Sequence, residues 1–175
     1  MTSAEIYLIA CQDDFIEDSS QQLANSGLLR QGDVVFHCSG AQTSLLLQTC
    51  RNKGALVASV HPIKSFANLT LAVENFAGTY CGVEGDTHAL SALTPLFSDI
   101  GANFLPIHAE HKTLYHAASV IASNYLVALE EMSILTFEKA GIDRDTAMKV
   151  LQPIVTNTVE NVFRLGTAQA LTGPI

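Results

Sequence analysis

The chain has 175 residues, enough for one large domain or two small ones, with 48% hydrophobic and only 15% charged residues. That balance is rich in core and poor in surface, and it points to apolar surface covered by another subunit. A formal net charge of −8 with 9 scattered basic residues excludes a nucleic-acid surface, which needs clustered Lys and Arg against phosphate.

Residues 5–11, EIYLIAC, form a short apolar run closed by Asp13 and Asp14. It reads as a buried parallel strand followed by a loop. A weakly amphipathic helix over 15–26 ends at Gly27. Residues 33–38, DVVFHC, are a second buried strand with Ser39-Gly40 as its exit turn, and a helix over 42–53 ends at Gly54. Residues 55–60, ALVASV, are a third strand. His61-Pro62 is expected to end it, because proline restricts the residue before it. Strand, helix, strand, helix, strand with short connections predicts a parallel, doubly wound α/β sheet.

After a loop, GTYCGVEG at 78–85 and ANFLPIH at 102–108 are further strands, with a helix over 86–100 opened by Asp86 and closed by Gly101. From 110 the texture changes to long helices. One runs over 110–140 and stops at Gly141. The next is capped by Asp143 and runs to about Gly166, with Pro153 expected to kink it. The expected architecture is thus a mainly parallel sheet over 1–108 followed by an all-α part over 109–175. Both ends read as cut from a larger protein.

Cys11, Cys38, Cys50 and Cys81 show no CxxC spacing and read as reduced thiols in a cytoplasmic protein. His37, Cys38 and His61 are a conceivable zinc set, but the histidines lack HxxxH or HExxH spacing, and no metal site is expected. The acidic start, MTSAEIYLIACQDD, does not read as a signal peptide, and no apolar run is expected to span a membrane.

The stretch LYHAASVIASNYLVALEEMSILTFEKAG carries a tight polar group near its start: His116, Ser119, Ser123 and Asn124. At about 100° per residue, Ser123 lies about 20° from His116 and Ser119 about 60°, with Asn124 about 80° to the other side. Polar groups on a buried helix need partners, whether substrate, backbone or a second subunit. In open α/β sheets ligands bind at the carboxyl ends of the strands. Here those ends are Cys11-Gln12-Asp13-Asp14, Cys38-Ser39-Gly40-Ala41 and His61-Pro62-Ile63-Lys64. No GxGxxG is present. Gly82-Val83-Glu84-Gly85, followed by an acidic residue, would repel phosphate.

The blocks VVFHCSGAQTSLLL, ASVHPIKSFAN, LYHAASVIASNYLVALEEM and RLGTAQALTGPI resemble the bacterial Rossmann-like and DUF2520 domain-containing proteins, relatives of the pyrroline-5-carboxylate reductase, ketopantoate reductase and β-hydroxyacid dehydrogenase group. The resemblance implies the later half of a Rossmann-like NAD(P)-binding domain over 1–108 and a truncated helical domain over 109–175 that dimerises and closes the site. It implies an NAD(P)-dependent oxidoreductase acting on a small carbonyl, imine or hydroxy acid. The chain departs from the family by beginning after the glycine-rich turn, so NAD or NADP is expected in the intact parent and not tightly on this chain. The alternative is a non-catalytic remnant that dimerises and binds a small ligand or nothing.

By position, the resemblance implies catalytic roles for His116 and Asn124, and the strand end at His61 adds a third catalytic candidate. The polar helix face adds Ser119 and Ser123 as candidate substrate contacts, and the strand ends add Cys11, Gln12, Asp13, Ser39 and Gly40 as candidate cofactor contacts. The lysine acid of the β-hydroxyacid enzymes is read as having no counterpart on the His116 face.

Overall fold

The structure is a computed structural model, and it describes residues 5–172. The last residues of the LTGPI block, 173–175, lie outside the described residues. The chain divides into two compact units, residues 1–120 and 121–175.

The first unit is built on a five-stranded sheet in the order β1 (Ile6–Ile9), β2 (Val34–His37), β3 (Leu56–Pro62), β4 (Tyr80–Gly85) and β5 (Asn103–Pro106). Helices α1 (Ile16–Asn25), α2 (Gln48–Arg51), α3 (Leu69–Glu74) and α4 (Thr87–Asp99) connect the strands, and α5 (Lys112–Val120) follows β5. Strands β1, β2 and β3 pair in parallel, as the apolar runs predict. Strand β4 joins β3 antiparallel, and β5 returns parallel to β4. The sheet is therefore mainly parallel, with its direction reversed once.

Period-2 alternation divides the core between the two faces. Val35 and Val57 join Ile9, Ile16, Leu23, Leu47 and Cys50 on one face. Val34, Phe36, Ala58, Val60, Cys81 and Val83 pack with Ala89 and Leu93 of α4 on the other. Further along the first face the apolar residues give way to polar ones. His37, Ser59 and Glu84 are all buried there, and Ser59 stands opposite Glu84 in the β3–β4 register.

Some local details differ from the sequence reading. Strand β3 does not stop at His61 but runs through Pro62, which pairs with Cys81. The amide of Ile63 donates to the Tyr80 carbonyl at 2.8 Å. Alternation therefore turns the nitrogen of residue 62 toward the β2 side, where β2 has already ended at His37 opposite Ser59. A missing N–H costs nothing at such an edge. Helix α3 occupies part of the expected loop, capped by the Asn68 side chain accepting from the Leu71 amide at 3.1 Å. Asp86 precedes α4 as expected, but its carboxylate does not cap the helix. It accepts from Arg51 Nη2 at 2.7 Å and from the Val57 amide at 2.8 Å.

The second unit opens with a π-helical turn, Ile121–Tyr125, and continues as α6 (Leu126–Lys139), α7 (Arg144–Leu165) and α8 (Thr167–Ala170), with no strand among its described residues. Asp143 caps α7 as expected, accepting from the Thr146 amide at 3.0 Å. Pro153 falls inside α7. Within this unit Val127, Leu129 and Met132 of α6 and Ile154 and Phe163 of α7 are exposed. The helical run Ala109–Lys139 also corrects one expectation. It has 31 residues and a mean hydropathy of 1.3 in its best window, so by length and composition alone it reaches the membrane-spanning range. Its charged residues break the continuous apolar run but not the window average.

Candidate functional site

Parallel strands β1, β2 and β3 point their carboxyl ends at one edge of the sheet, and α5 brings its polar residues to that edge. The turn leaving β2 is held by Ser39. Its hydroxyl donates to Asp13 Oδ2 at 2.7 Å and accepts the amides of Ala41 at 3.2 Å and Gln42 at 2.9 Å. Beneath it, His37 Nδ1 accepts the Ser39 amide at 3.1 Å. The Nε2 of His37 therefore carries the proton and donates to the Thr43 carbonyl at 3.1 Å. This ring is a neutral brace, and burial, aided by Lys112, holds its pKa below the ordinary value.

Gly40 sits in the middle of this turn, and the ring nitrogens of two histidines close over it. A Cβ at Gly40 would collide with Nδ1 of His116 and lie 2.7 Å from Nε2 of His61. The two imidazoles meet edge to face, with centroids 5.5 Å apart. His61 also packs edge to face on Tyr115 at 5.6 Å, and its Nδ1 lies 2.8 Å from the Tyr115 hydroxyl. Tyr115 in turn presses on Gly82 of β4, where a Cβ would stand 2.5 Å from Cζ. The two glycines thus serve close approach: Gly40 admits the histidines and Gly82 the tyrosine.

The protonation states are distinct. Burial, then the neighbouring His116 and Lys112, push the His61 pKa down to about 4, so its imidazole is neutral near neutrality. Burial pushes the Tyr115 phenol up to about 12, against a lowering hydrogen bond from the Gly82 backbone. The phenol keeps its proton and offers it to His61 Nδ1. The His61 Nε2–H then faces the Gly40 side. Nδ1 of His116 is buried with no hydrogen-bond partner among the described residues. Burial also lifts the Cys38 thiol at the end of β2 to about 11, so it is not a nucleophile at neutral pH.

Below these residues lies a buried ion pair. Lys112, only 1% exposed, donates to Glu84 Oε1 at 3.1 Å and to the Ser59 hydroxyl. Glu84 also accepts the Ser44 amide and hydroxyl, each at 2.7 Å. Lys112 is one helical turn before His116, so the His116 face of α5 does carry a lysine, contrary to the sequence reading. Its burial keeps it from reaching a ligand directly.

Of the residues singled out from sequence, the fold brings together His61, His116, Gly40, Ser39 and Asp13. Ser119 donates back to the Tyr115 carbonyl at 3.3 Å. Ser123 and Asn124 are exposed in the π-helical turn of the second unit, and the count of 100° per residue does not carry through that wider turn. Cys11 is exposed with its sulfur 3.7 Å from Ser19 Oγ, and Gln12 is exposed before the 3-10 turn Asp13–Phe15. Tyr115, Lys112 and Glu84 were missed.

A model of the family described as "Domain of unknown function (DUF2520)" matches residues 79–175. The chain belongs to this family. A model described as "Rossmann-like domain" matches residues 1–62. No curated protein matches the sequence. Among solved structures, a protein from Thermotoga maritima is similar at 30% identity and a TM-score of 0.78, over 99% of this chain and 65% of that one. A Bacteroides fragilis protein described as a candidate NADP oxidoreductase aligns at 16% identity and a TM-score of 0.78, over 99% of this chain and 63% of that one. A pyrroline-5-carboxylate reductase from Coxiella burnetii aligns at 14% identity and a TM-score of 0.62, over 98% and 63%. The last two likenesses are of fold. The chain spans just under two thirds of the length of these structures.

The fold implies a nicotinamide dinucleotide, and the residues present fit one end of it. The sequence has no GxGxxG turn to cradle the diphosphate. At the β1 end, Asp13 offers a half-buried carboxylate, whose Oδ2 accepts the Ser39 hydroxyl, while Gly40 at the β2 end is covered by the His61 and His116 rings. The carboxylate suits a ribose hydroxyl.

Proposed function

We propose that this chain is the substrate-side part of an NAD(P)-dependent oxidoreductase acting on a small carbonyl, imine or hydroxy acid. The observation that carries this reading is the Tyr115–His61–His116 cluster closed over Gly40 at the carboxyl edge of the parallel strands, where such sheets bind ligands. The nicotinamide, when bound, supplies the hydride chemistry. Asp13, beside the Ser39 turn, is the residue that would hold its ribose end. His61 stays neutral and holds an N–H at Nε2, a donor for a carbonyl oxygen or imine nitrogen brought to the open side of the ring. Tyr115 fixes that tautomer by donating to Nδ1. His116 Nδ1 is buried against Gly40 without a hydrogen-bond partner, and a turn of the ring would present it to a substrate group. Ser119 remains a candidate for orienting the substrate. By itself the chain binds the dinucleotide weakly, since the diphosphate has no cradle in its sequence.

The test offers NADH and NADPH to the full-length protein with a panel of small oxo acids and cyclic imines. Consumption of the reduced cofactor with one substrate, lost in Tyr115→Phe and His116→Ala, is expected. No binding of either cofactor and no turnover on the panel would overturn the reading. The second reading, a non-catalytic module that associates with its own copy, draws on the exposed apolar residues of α6 and α7. Full-length protein that dimerises but binds no cofactor would favour it.

A further inference from the structure

The turn 39–44 carries Gly40, and both of its ends trace back to one buried ammonium group. Through Ser59, Lys112 reaches the first end: Nζ donates to the Ser59 hydroxyl, which donates to the Ser39 carbonyl at 3.4 Å. Through Glu84 it reaches the other: Nζ donates to Oε1, and the carboxylate accepts the amide and hydroxyl of Ser44. One helical turn later on α5, His116 packs on Gly40 between those two ends.

We propose that Lys112 and Glu84 are a positioning pair that clamps both ends of the 39–44 turn to α5 and so fixes Gly40 against His61 and His116. This rests on the proposed function only for the use made of the site. Both residues are buried, and every hydrogen bond described for them is to protein. A buried ion pair is weak evidence for stability, since apolar residues of similar volume often serve as well. What the pair supplies here is geometry: a network of five hydrogen bonds, three of which hold the two ends of one turn. The ammonium charge has a second effect. His61 faces Lys112, Tyr115 and His116 of α5 and Asp13 of the turn after β1, with neutral Gly82 opposite it on β4. Besides burial, His116 and then Lys112 oppose protonation of the ring, and Asp13 favours it.

The test uses the full chain without cofactor or substrate, so an absence of oxidoreductase activity leaves it readable. Two quantities are followed by NMR: the titration of His61, and hydrogen exchange of the Ala41 and Gln42 amides. In Lys112→Met/Glu84→Gln, which removes both charges together, the His61 midpoint rises above about 4 but stays below the ordinary 6.5, because burial and His116 still hold it down. The two amides exchange on the order of tenfold faster, as the loss of a clamping hydrogen bond allows. Ser44→Ala keeps both charges and also speeds the exchange. A folded double variant with either quantity at its wild-type value overturns the proposal, as does unchanged exchange in Ser44→Ala. If the double variant does not fold, Ser44→Ala alone decides.

Discussion

Gly40 lies against the His116 ring so closely that a Cβ would strike Nδ1 and stand 2.7 Å from Cε1. Its backbone is not in the left-handed region, so room and not conformation requires glycine here. Gly40→Ala is therefore expected to push the His61 and His116 rings apart. Overpacking of this kind costs about 1–3 kcal/mol. A denaturant titration should register that loss, and the imidazole resonances of both histidines should move. Wild-type stability with unmoved ring resonances would mean that the contact is soft.

The fold was legible where burial alone decides it. Runs such as VVFH and LVASV gave strands at close to their true bounds. The reversal of β4 was not legible, because a buried run looks the same in either direction. Helix α3 was missed because Leu69, Leu71 and Val73 are all exposed, which leaves no one-sided apolar stripe to read. Within the site, His61 was visible as a strand end and His116 as a polar residue on an apolar helix. Lys112 and Glu84 carried a signal that went unused. Alternation along β4 puts Glu84 on the face of Gly82, inside a buried strand, and such a carboxylate needs a cation. Lys112, four residues before His116 on the same helix face, is that cation.

The His61 pKa of about 4 sets the sign of one pH dependence. In the unfolded chain the ring titrates near 6.5, so between these values the folded state binds fewer protons. Stability from this group is complete above 6.5, falls as the pH drops toward 4, and levels off below it. His37 is lowered as well and acts with the same sign. Denaturant midpoints measured across this range should decline for the wild type and decline less for His61→Gln. Equal slopes in the two proteins would count against a neutral buried His61.

Lys112→Met leaves Glu84 buried without its cation. Breaking such a pair from one side costs about 3–5 kcal/mol, while replacing both charges is far milder. The double variant Lys112→Met/Glu84→Gln should therefore be more stable than Lys112→Met alone. Chemical denaturation of the three proteins checks the order. A single variant as stable as the wild type would show that Glu84 finds another partner or takes up a proton at little cost.

Tyr115→Phe removes the hydroxyl 2.8 Å from His61 Nδ1, together with its hydrogen bond from the Gly82 backbone. The expected stability loss is about 1–3 kcal/mol, that of two hydrogen bonds. With the His61 tautomer released, turnover of the full-length protein should fall about 100-fold if the ring acts in proton transfer. A variant that loses stability without losing turnover would assign Tyr115 a packing role.

The last prediction concerns α6 and α7. Val127 is 68% exposed, Leu129 60%, Met132 63% and Phe163 87% in the second unit. Isolated soluble chains rarely leave so much apolar surface uncovered. We propose that a second copy of the chain covers it. Burying one such side chain contributes about 2 kcal/mol, and a symmetric dimer carries each substitution twice, so Lys at Leu129 or Met132 should weaken association about 30-fold for each copy of the side chain buried. Sedimentation equilibrium should find a dimer for the wild type and a shift toward monomer for Leu129→Lys/Met132→Lys, with circular dichroism unchanged. The same helical run is long and apolar enough to cross a bilayer, so binding to phospholipid vesicles is the competing outcome. A wild-type monomer that partitions onto vesicles, with partitioning reduced by the same substitutions, would replace the second copy with lipid as the occupant of this face.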